Sequence, residues 1–125
     1  MQESVSIILS QNTIQAIAGS SDDRLTMLCA GLQNHKYTLA SMLTSYHWDE
    51  RGIVYGLEID EKSISIDKYG QGSFIVKYGI NIHYGCSDKD IELDKHMIVT
   101  INTDLNAATT TLTGENVIER EPDDF

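Results

Sequence analysis

The spacing of apolar residues changes near the middle of this chain. Before residue 47 the apolar positions recur every three or four residues, whereas from Gly52 onward they alternate with polar positions. The first spacing is typical of amphipathic helices and the second of half-buried strands. The sequence therefore predicts an α+β domain, with two or three N-terminal helices packed on one face of a four- or five-stranded antiparallel meander sheet.

The N-terminal part predicts two helical segments. The first covers about residues 3–18, with an interruption near Ser10–Asn12 as an alternative. The second covers about residues 22–45, as one helix or as a broken pair. Gly31 and Asn34 are its weak points, because glycine and asparagine are poor helix formers.

The alternating region predicts strands joined by short connections. The first strand begins at Ile53, with Ile53, Tyr55, Leu57 and Ile59 on its inner face, and a tight turn at Asp60–Lys62 separates it from a second strand. The third strand is the clearest, because apolar residues alternate without a break from Phe74 to Cys86. Gly79 in its middle suggests a bend or bulge, since glycine has no side chain to pack.

Two further strands complete the predicted sheet. A polar loop over residues 85–94 leads into a fourth strand that contains Met97, Val99 and Ile101. The fifth, Leu105–Thr113, is rich in threonine and poor in large apolar groups, so we expect it at a sheet edge.

No repeat and no low-complexity linker divides the chain, which predicts a single domain over residues 1–125. Residues 1–47 form its helical layer and residues 52–113 its antiparallel sheet. Residues 114–125 form an acidic tail, which we expect to be loose or to order on a partner.

The charge belongs almost entirely to the second half of the chain. The sequence has 19 acidic and 9 basic side chains, a net charge of -10. Three acids and two bases lie in residues 1–47, against sixteen acids and seven bases in residues 48–125. This balance argues against direct binding of nucleic acid or of an anionic membrane, which both need clustered Lys and Arg. It favours a basic protein as the partner.

The N-terminal sequence and the cysteines predict a cytoplasmic location. Glu3 stands where a signal peptide would carry a basic residue, and the apolar run that follows is short. Cys29 and Cys86 lie far apart in sequence and form no CxxC pair. A reducing compartment is the simpler reading of that cysteine usage.

No catalytic, cofactor or metal motif survives a check of its spacing, so we predict none. The alternating acids from Asp88 resemble a calcium loop, but Leu93 and Val99 occupy the positions that need Gly and Glu. The glycines of Gly70–Gly72 lie between two strands, whereas a dinucleotide fingerprint leads into a helix.

The sequence favours a small acidic protein-binding module that is not an enzyme. Dense carboxylates speed association with basic surfaces, as inhibitors of nucleic-acid-processing enzymes require. We therefore predict an immunity-type or other inhibitor of a basic nuclease or toxin. The candidate contact residues come from the acidic loop, the first two strands and an exposed tyrosine: Asp88, Asp90, Glu92, Asp94, Glu58, Asp60, Glu61 and Tyr69.

Three alternatives stay open at this stage. A chaperone or assembly subunit would act through an exposed strand, with a homodimer through the Leu105–Thr113 edge as one form. A small enzyme would have its site near His47 and Asp49, beside Trp48, although we expect Trp48 rather to anchor the helices to the sheet. The acidic surface could also serve only solubility.

Overall fold

A computed structural model describes residues 1–49, 51–84 and 89–117. In that part of the chain, three helices and five strands follow one another. Their bounds are β1 (Ser4–Ile8), α1 (Gln11–Ala18), α2 (Arg24–Gln33), α3 (Lys36–Tyr46), β2 (Ile53–Ile66), β3 (Gln71–Tyr84), β4 (Lys89–Asp104) and β5 (Thr109–Thr113).

The five strands form one antiparallel sheet in the order β1-β5-β4-β3-β2. Helices α2 and α3 contact β2, α3 also contacts β1, and α1 packs on α2. The inner sheet residues and the apolar helix residues form one core cluster. The predicted α+β class, with helices on one face of an antiparallel sheet, is confirmed.

The N-terminal residues form a strand, so the helix predicted from residue 3 is wrong in its first part. Val5, Ile7 and Leu9 point inward, and β1 pairs with β5 from Ser4 opposite Thr113 to Ile8 opposite Thr109. A strand at the N-terminus also means that residues 1–47 are not wholly helical. The helix begins only at Gln11, where the Ser10 side chain accepts a hydrogen bond from the Thr13 N–H.

The second helical segment is a broken pair, as one of the two alternatives predicted. Helix α2 ends at Gln33 and α3 begins at Lys36, so the break falls at Asn34 and His35. Leu28 and Leu32 of α2 are fully buried, as are Leu39 and Leu43 of α3. Within the described ranges, no helix is both long and apolar enough to cross a lipid bilayer.

Strand β2 is one continuous strand with two bulges, so the predicted turn at Asp60–Lys62 is wrong. One extra residue lies between Tyr55 and Glu58, where Gly56 has a φ of 60° that side chains disfavour. Three more lie between Asp60 and Ser65, because Asp60 pairs with Ile75 and Ser65 with Ser73. In that second bulge the Asp60 carboxylate and carbonyl accept bonds from the Lys62 N–H and the Ser63 hydroxyl.

Each bulge reverses which residues of β2 face the helices, because side chains alternate along a strand. Val54 faces inward before the first bulge, Leu57 and Ile59 between the two, and Ile64 and Ile66 after the second. Ile53 and Tyr55, which simple alternation places inward, therefore lie on the outer face. They are 67% and 42% exposed.

Strands β3 and β4 form a long hairpin whose pairing runs without interruption from Gln71 opposite Asn102 to Tyr84 opposite Lys89. Phe74, Val76, Tyr78, Ile80 and Ile82 are buried, which confirms the predicted alternation over this stretch. The pairing of β3 with β4 has no register shift at Gly79. The bulge beside Gly79 lies in the other neighbouring strand, β2, directly after Tyr55, which pairs with Gly79. Cys86 lies outside the described residues.

Strand β5 lies inside the sheet, between β1 and β4, so the predicted edge position is wrong. It spans only Thr109–Thr113, since residues 105–108 form the turn from β4. Thr110 is fully buried, and its hydroxyl lies 3.0 Å from that of Thr103 on β4, so the inner threonines hydrogen-bond to each other.

Tyr46 at the end of α3 ties both ends of the described chain together. Its hydroxyl accepts a hydrogen bond from the Glu3 N–H (2.8 Å) and donates one to the Glu115 carbonyl (2.7 Å). The Val117 N–H donates to the Met1 carbonyl. Residues 114–117 of the predicted acidic tail therefore run beside residues 1–3, and residues 118–125 lie outside the described ranges.

Candidate functional site

Three of the candidate acidic residues, Asp90, Glu92 and Asp94, lie on one face of β4. They were predicted in a loop, but residue-by-residue pairing with β3 makes this segment a strand. Their side chains are exposed on the face of the sheet that points away from the helices. Because alternate residues of a strand share a face, the three carboxylates form a row. Asp88 lies outside the described residues.

The first carboxylate of the row has a partner on the neighbouring strand. Asp90 pairs across the hairpin with His83, and the Asp90 Oδ1 atom lies 2.6 Å from His83 Nδ1. Both side chains are more than half exposed, so this contact contributes little to folding stability. Glu92 and Asp94 lie opposite Asn81 and Gly79, which bring no positive charge.

An aromatic side chain fills the space above Gly79. A Cβ atom at this glycine would lie 2.4 Å from Tyr55 Cζ and 2.8 Å from both Cε atoms. Similar distances to both edges of the ring mean that the ring lies face-on against the Gly79 backbone. Partial desolvation and the charges of Glu92 and Asp94 raise the pKa of the Tyr55 phenol. The outer face of the sheet is therefore electrically negative around Tyr55.

Glu58 and Asp60 of β2 join the same face from the other side of β3. Lys77 pairs with Glu58 and with His96, and its Nζ atom lies 4.0 Å from the Asp60 carboxylate. An open hollow of about 480 Å³ between the strands is lined by Tyr55, Glu58, Lys77, Gly79, Asp94 and His96, among others. We call the exposed surface formed by Asp90, Glu92, Asp94, Glu58 and Asp60 the acidic face.

The last two candidates lie at the margin of the acidic face. Glu61 follows Asp60 in the second bulge and lines one open hollow with Glu58 and Asp60. It also lies beside α2, where burial and the Glu61 charge raise the pKa of the Cys29 thiol. Tyr69 lies in the β2–β3 turn, with Lys68 Nζ 5.2 Å from its ring centre. The turn precedes Gln71, whereas Asp60 pairs with Ile75 and Asp94 with Gly79. At about 3.3 Å per residue, roughly 13 Å of strand separates the turn from the nearest part of the acidic face, and roughly 26 Å from Asp94.

The outer face also exposes apolar side chains near the carboxylates. Ile53 and Tyr55 lie on β2, and Ile98 of β4 is 48% exposed. Apolar residues surrounded by charged ones are typical of surfaces that bind other proteins. The sequence concealed the first two because both were assigned to the inner face. The available signal was Gly56, which marks the bulge that turns them outward.

The region considered for an enzyme site divides between the core and the surface. His47 is half-buried, and its Nε2 atom lies 3.0 Å from the Tyr78 hydroxyl, so this contact joins the end of α3 to the sheet. Asp49 is exposed, and Trp48 is 75% exposed, so Trp48 does not anchor the two layers as predicted. Glu50 lies outside the described residues.

Metal-ligating residues do not cluster in the described ranges, where no group of three or more His, Cys, Asp or Glu side chains could hold an ion. The features that these ranges bring together are a row of carboxylates, an aromatic ring and exposed isoleucines, all on the outer face of the sheet.

Comparison with known proteins finds no match for this chain among family models, curated proteins or solved structures.

Proposed function

We propose that this protein is a binding module that uses its acidic face to occupy a basic surface on another protein. The observation that carries the proposal is the row of Asp90, Glu92 and Asp94 beside exposed Tyr55, with exposed Ile98 further along the same face of β4. Carboxylates at the rim guide association with a basic partner, and apolar groups supply contact area that is removed from water.

We further propose that the partner is a nucleic-acid-processing enzyme or toxin, and that the protein inhibits it. The groove in which such an enzyme binds its substrate is basic, because it must neutralise phosphates. Carboxylates spaced along β4 offer a regular series of negative charges, about 7 Å apart for every second residue of a strand. Occupation of the groove by these charges would exclude the nucleic acid.

The matched test compares two double variants with the same net charge. Glu92→Gln with Asp94→Asn removes two carboxylates from the acidic face. Asp22→Asn with Asp49→Asn removes two exposed carboxylates elsewhere. We expect affinity capture from the host to recover a basic protein with the wild type and with the control, and its affinity to fall at least about tenfold in the first variant, about 1.4 kcal/mol.

Two further measurements decide whether the captured protein is the proposed partner. Its affinity should fall as salt rises from low to physiological strength, because exposed charges are screened. Addition of the wild-type protein should also suppress cleavage of nucleic acid by the partner. An acidic partner, an affinity that does not depend on salt, or equal binding by both double variants would contradict the proposal.

The alternative function, an assembly subunit or chaperone, is favoured by a separate observation. Trp48 and Ile53, both largely exposed, line one hollow of about 470 Å³ with Thr44, Arg51 and Gly52 at the α3–β2 junction. A second copy or a client could cover this patch. If copies associate through this patch, the molecular mass measured by light scattering rises with protein concentration. We expect Trp48→Ser to reduce that rise. A wild-type protein that stays monomeric over the whole range would count against self-assembly.

A further inference from the structure

One side of β4 has no strand beside it over residues 90–97 among the described residues. Strand β4 pairs with β3 from Lys89 to Asn102, but with β5 only from Thr100 to Asp104. We use the name open edge for the side of Asp90–His96 that points away from β3. It is about 20 Å long at 3.4 Å per residue.

Two hydrogen bonds in the C-terminal half of β4 show which residues direct their backbone to this edge. The Ile98 N–H points away from β3, since it donates to the Glu115 carboxylate (3.0 Å), whereas the Thr103 N–H points to Gly70 beside β3 (2.8 Å). Successive residues of a strand direct their N–H and C=O groups to opposite sides. The even-numbered residues from Asp90 to His96 therefore present theirs to the open edge.

The open edge differs from the two strands at the ends of the sheet. Strand β1 has only five residues, and β2 is interrupted by two bulges, both of which discourage the addition of another strand. The β3–β4 pairing, in contrast, has no register shift. Of the edges that the structure describes, this one is long, regular and able to accept a strand.

We propose that a basic, extended segment of the partner adds to the sheet along the open edge. This inference rests on the proposed function, because it names the part of the partner that the acidic face binds. Strand addition supplies backbone hydrogen bonds, and alternate side chains supply specificity. On the outer face the added strand would place every second side chain beside Asp90, Glu92 and Asp94, where Lys or Arg fits.

The other face of the added strand would lie beside different side chains. Ile91 is 40% exposed and Leu93 is half-buried, while Lys95 is exposed. Apolar side chains fit next to the first two. The segment that this edge fits is therefore about seven residues long and alternates basic with apolar positions.

Charge separates this occupant from two others that could cover the same edge. A second copy paired through its own open edge would bring Glu92 and Asp94 opposite carboxylates, and like charges directly opposite destabilise a sheet. The tail of this chain is unsuitable for the same reason, since Glu119, Glu121, Asp123 and Asp124 are accompanied only by Arg120.

The test uses two synthetic peptides with the same composition and a different order. In the first, four arginines alternate with three valines, and in the second the four arginines precede the three valines. We expect the alternating peptide to bind the full chain at least about tenfold more tightly at the same ionic strength. The amides of Asp90, Glu92 and Asp94 should exchange at least about tenfold more slowly when it is bound.

A proline in the strand separates the backbone edge from the charge. Glu92→Pro and Glu92→Gln remove the same carboxylate, but only proline removes an edge-facing N–H and places its ring there. We expect Glu92→Pro to bind the alternating peptide at least about tenfold more weakly than Glu92→Gln. If Glu92→Pro does not fold, N-methylation of every second amide of the peptide blocks pairing from the other side.

Each outcome decides between the strand proposal and the function on which it rests. Equal binding of both peptides would overturn strand addition while charge-dependent binding stayed in place. The same conclusion would follow if N-methylation of the odd-numbered peptide amides and N-methylation of the even-numbered ones both left the affinity unchanged. No binding of either peptide at low salt would overturn strand addition, and the function on which it rests would fall with it only if Glu92→Gln with Asp94→Asn also left the capture of a basic partner unchanged. A wild-type chain that dimerises with slowed exchange at Asp90–Asp94 would assign the edge to a second copy and would also overturn strand addition.

Discussion

Replacement of Phe74 by alanine should lower the free energy of unfolding by about 3–5 kcal/mol. Phe74 is 1% exposed and lies opposite Val99 on the inner face of the sheet. Truncation of a buried phenylalanine removes its transfer free energy from water and leaves a cavity that the core fills only in part. Most proteins of this size are stable by about 5–15 kcal/mol, so this single change would remove a large part of the total.

The adjacent residue is the matched control for Phe74→Ala. Ile75 follows on the same strand but faces away from the helices and is half-buried, so Ile75→Ala should cost about 1 kcal/mol. Urea unfolding followed by circular dichroism measures both values, provided that the slopes with denaturant are equal. A larger loss for Ile75→Ala than for Phe74→Ala would mean that the faces of β3 are assigned the wrong way round.

Replacement of Tyr46 by phenylalanine should cost about 1–2 kcal/mol, although it removes only one oxygen atom. The Glu3 N–H loses its acceptor in a partly buried place, and an unsatisfied group there costs about that much, whereas the exposed Glu115 carbonyl can bond to water instead. Tyr37→Phe is the control, because Tyr37 is 93% exposed. Its loss should be within about 0.5 kcal/mol.

The same hydroxyl predicts a dependence of stability on alkaline pH. Burial raises the pKa of Tyr46 above the usual value, because a phenolate in this position would be poorly solvated. A group whose pKa is higher in the folded state contributes full stability below its unfolded pKa, about 10, and loses it as the pH rises through the folded value. The difference between wild type and Tyr46→Phe should therefore be constant below pH 10 and shrink above it. A difference that grows above pH 10 would contradict this account.

The sequence predicts well those elements whose pattern has a single reading. The alternation from Phe74 to Ile82 can only place these residues on one face of a strand. The first nine residues have two readings, because Val5, Ile8 and Leu9 suit a helix whereas Val5, Ile7 and Leu9 suit a strand. Pairing with β5, more than a hundred residues away in sequence, decides between them, and local patterns cannot include it.

The candidate site was predictable in its charge and unpredictable in its shape. The sequence identified Asp90, Glu92 and Asp94 as candidate contacts, but the polar character of this segment suggested a loop. Polar residues can occupy a strand when one of its faces is open to water, as the outer face is here. The position of Tyr55 beside them depends on the bulge at Gly56, a matter of backbone conformation that hydrophobicity does not encode.

The two bulges of β2 have a consequence for how this chain can change length. The first adds one residue and the second adds three, so each is odd and each exchanges the two faces of the strand. Paired residues of neighbouring strands share a face, and Glu58 and Ile59 pair with Lys77 and Val76. Deletion of one residue at Gly56 would therefore remove the bulge and leave Ile59 on the inner face opposite Val76. Deletion of three residues within 61–64 would do the same at the second bulge. Among homologous sequences, a one-residue gap at the first place and a three-residue gap at the second should therefore occur independently of each other.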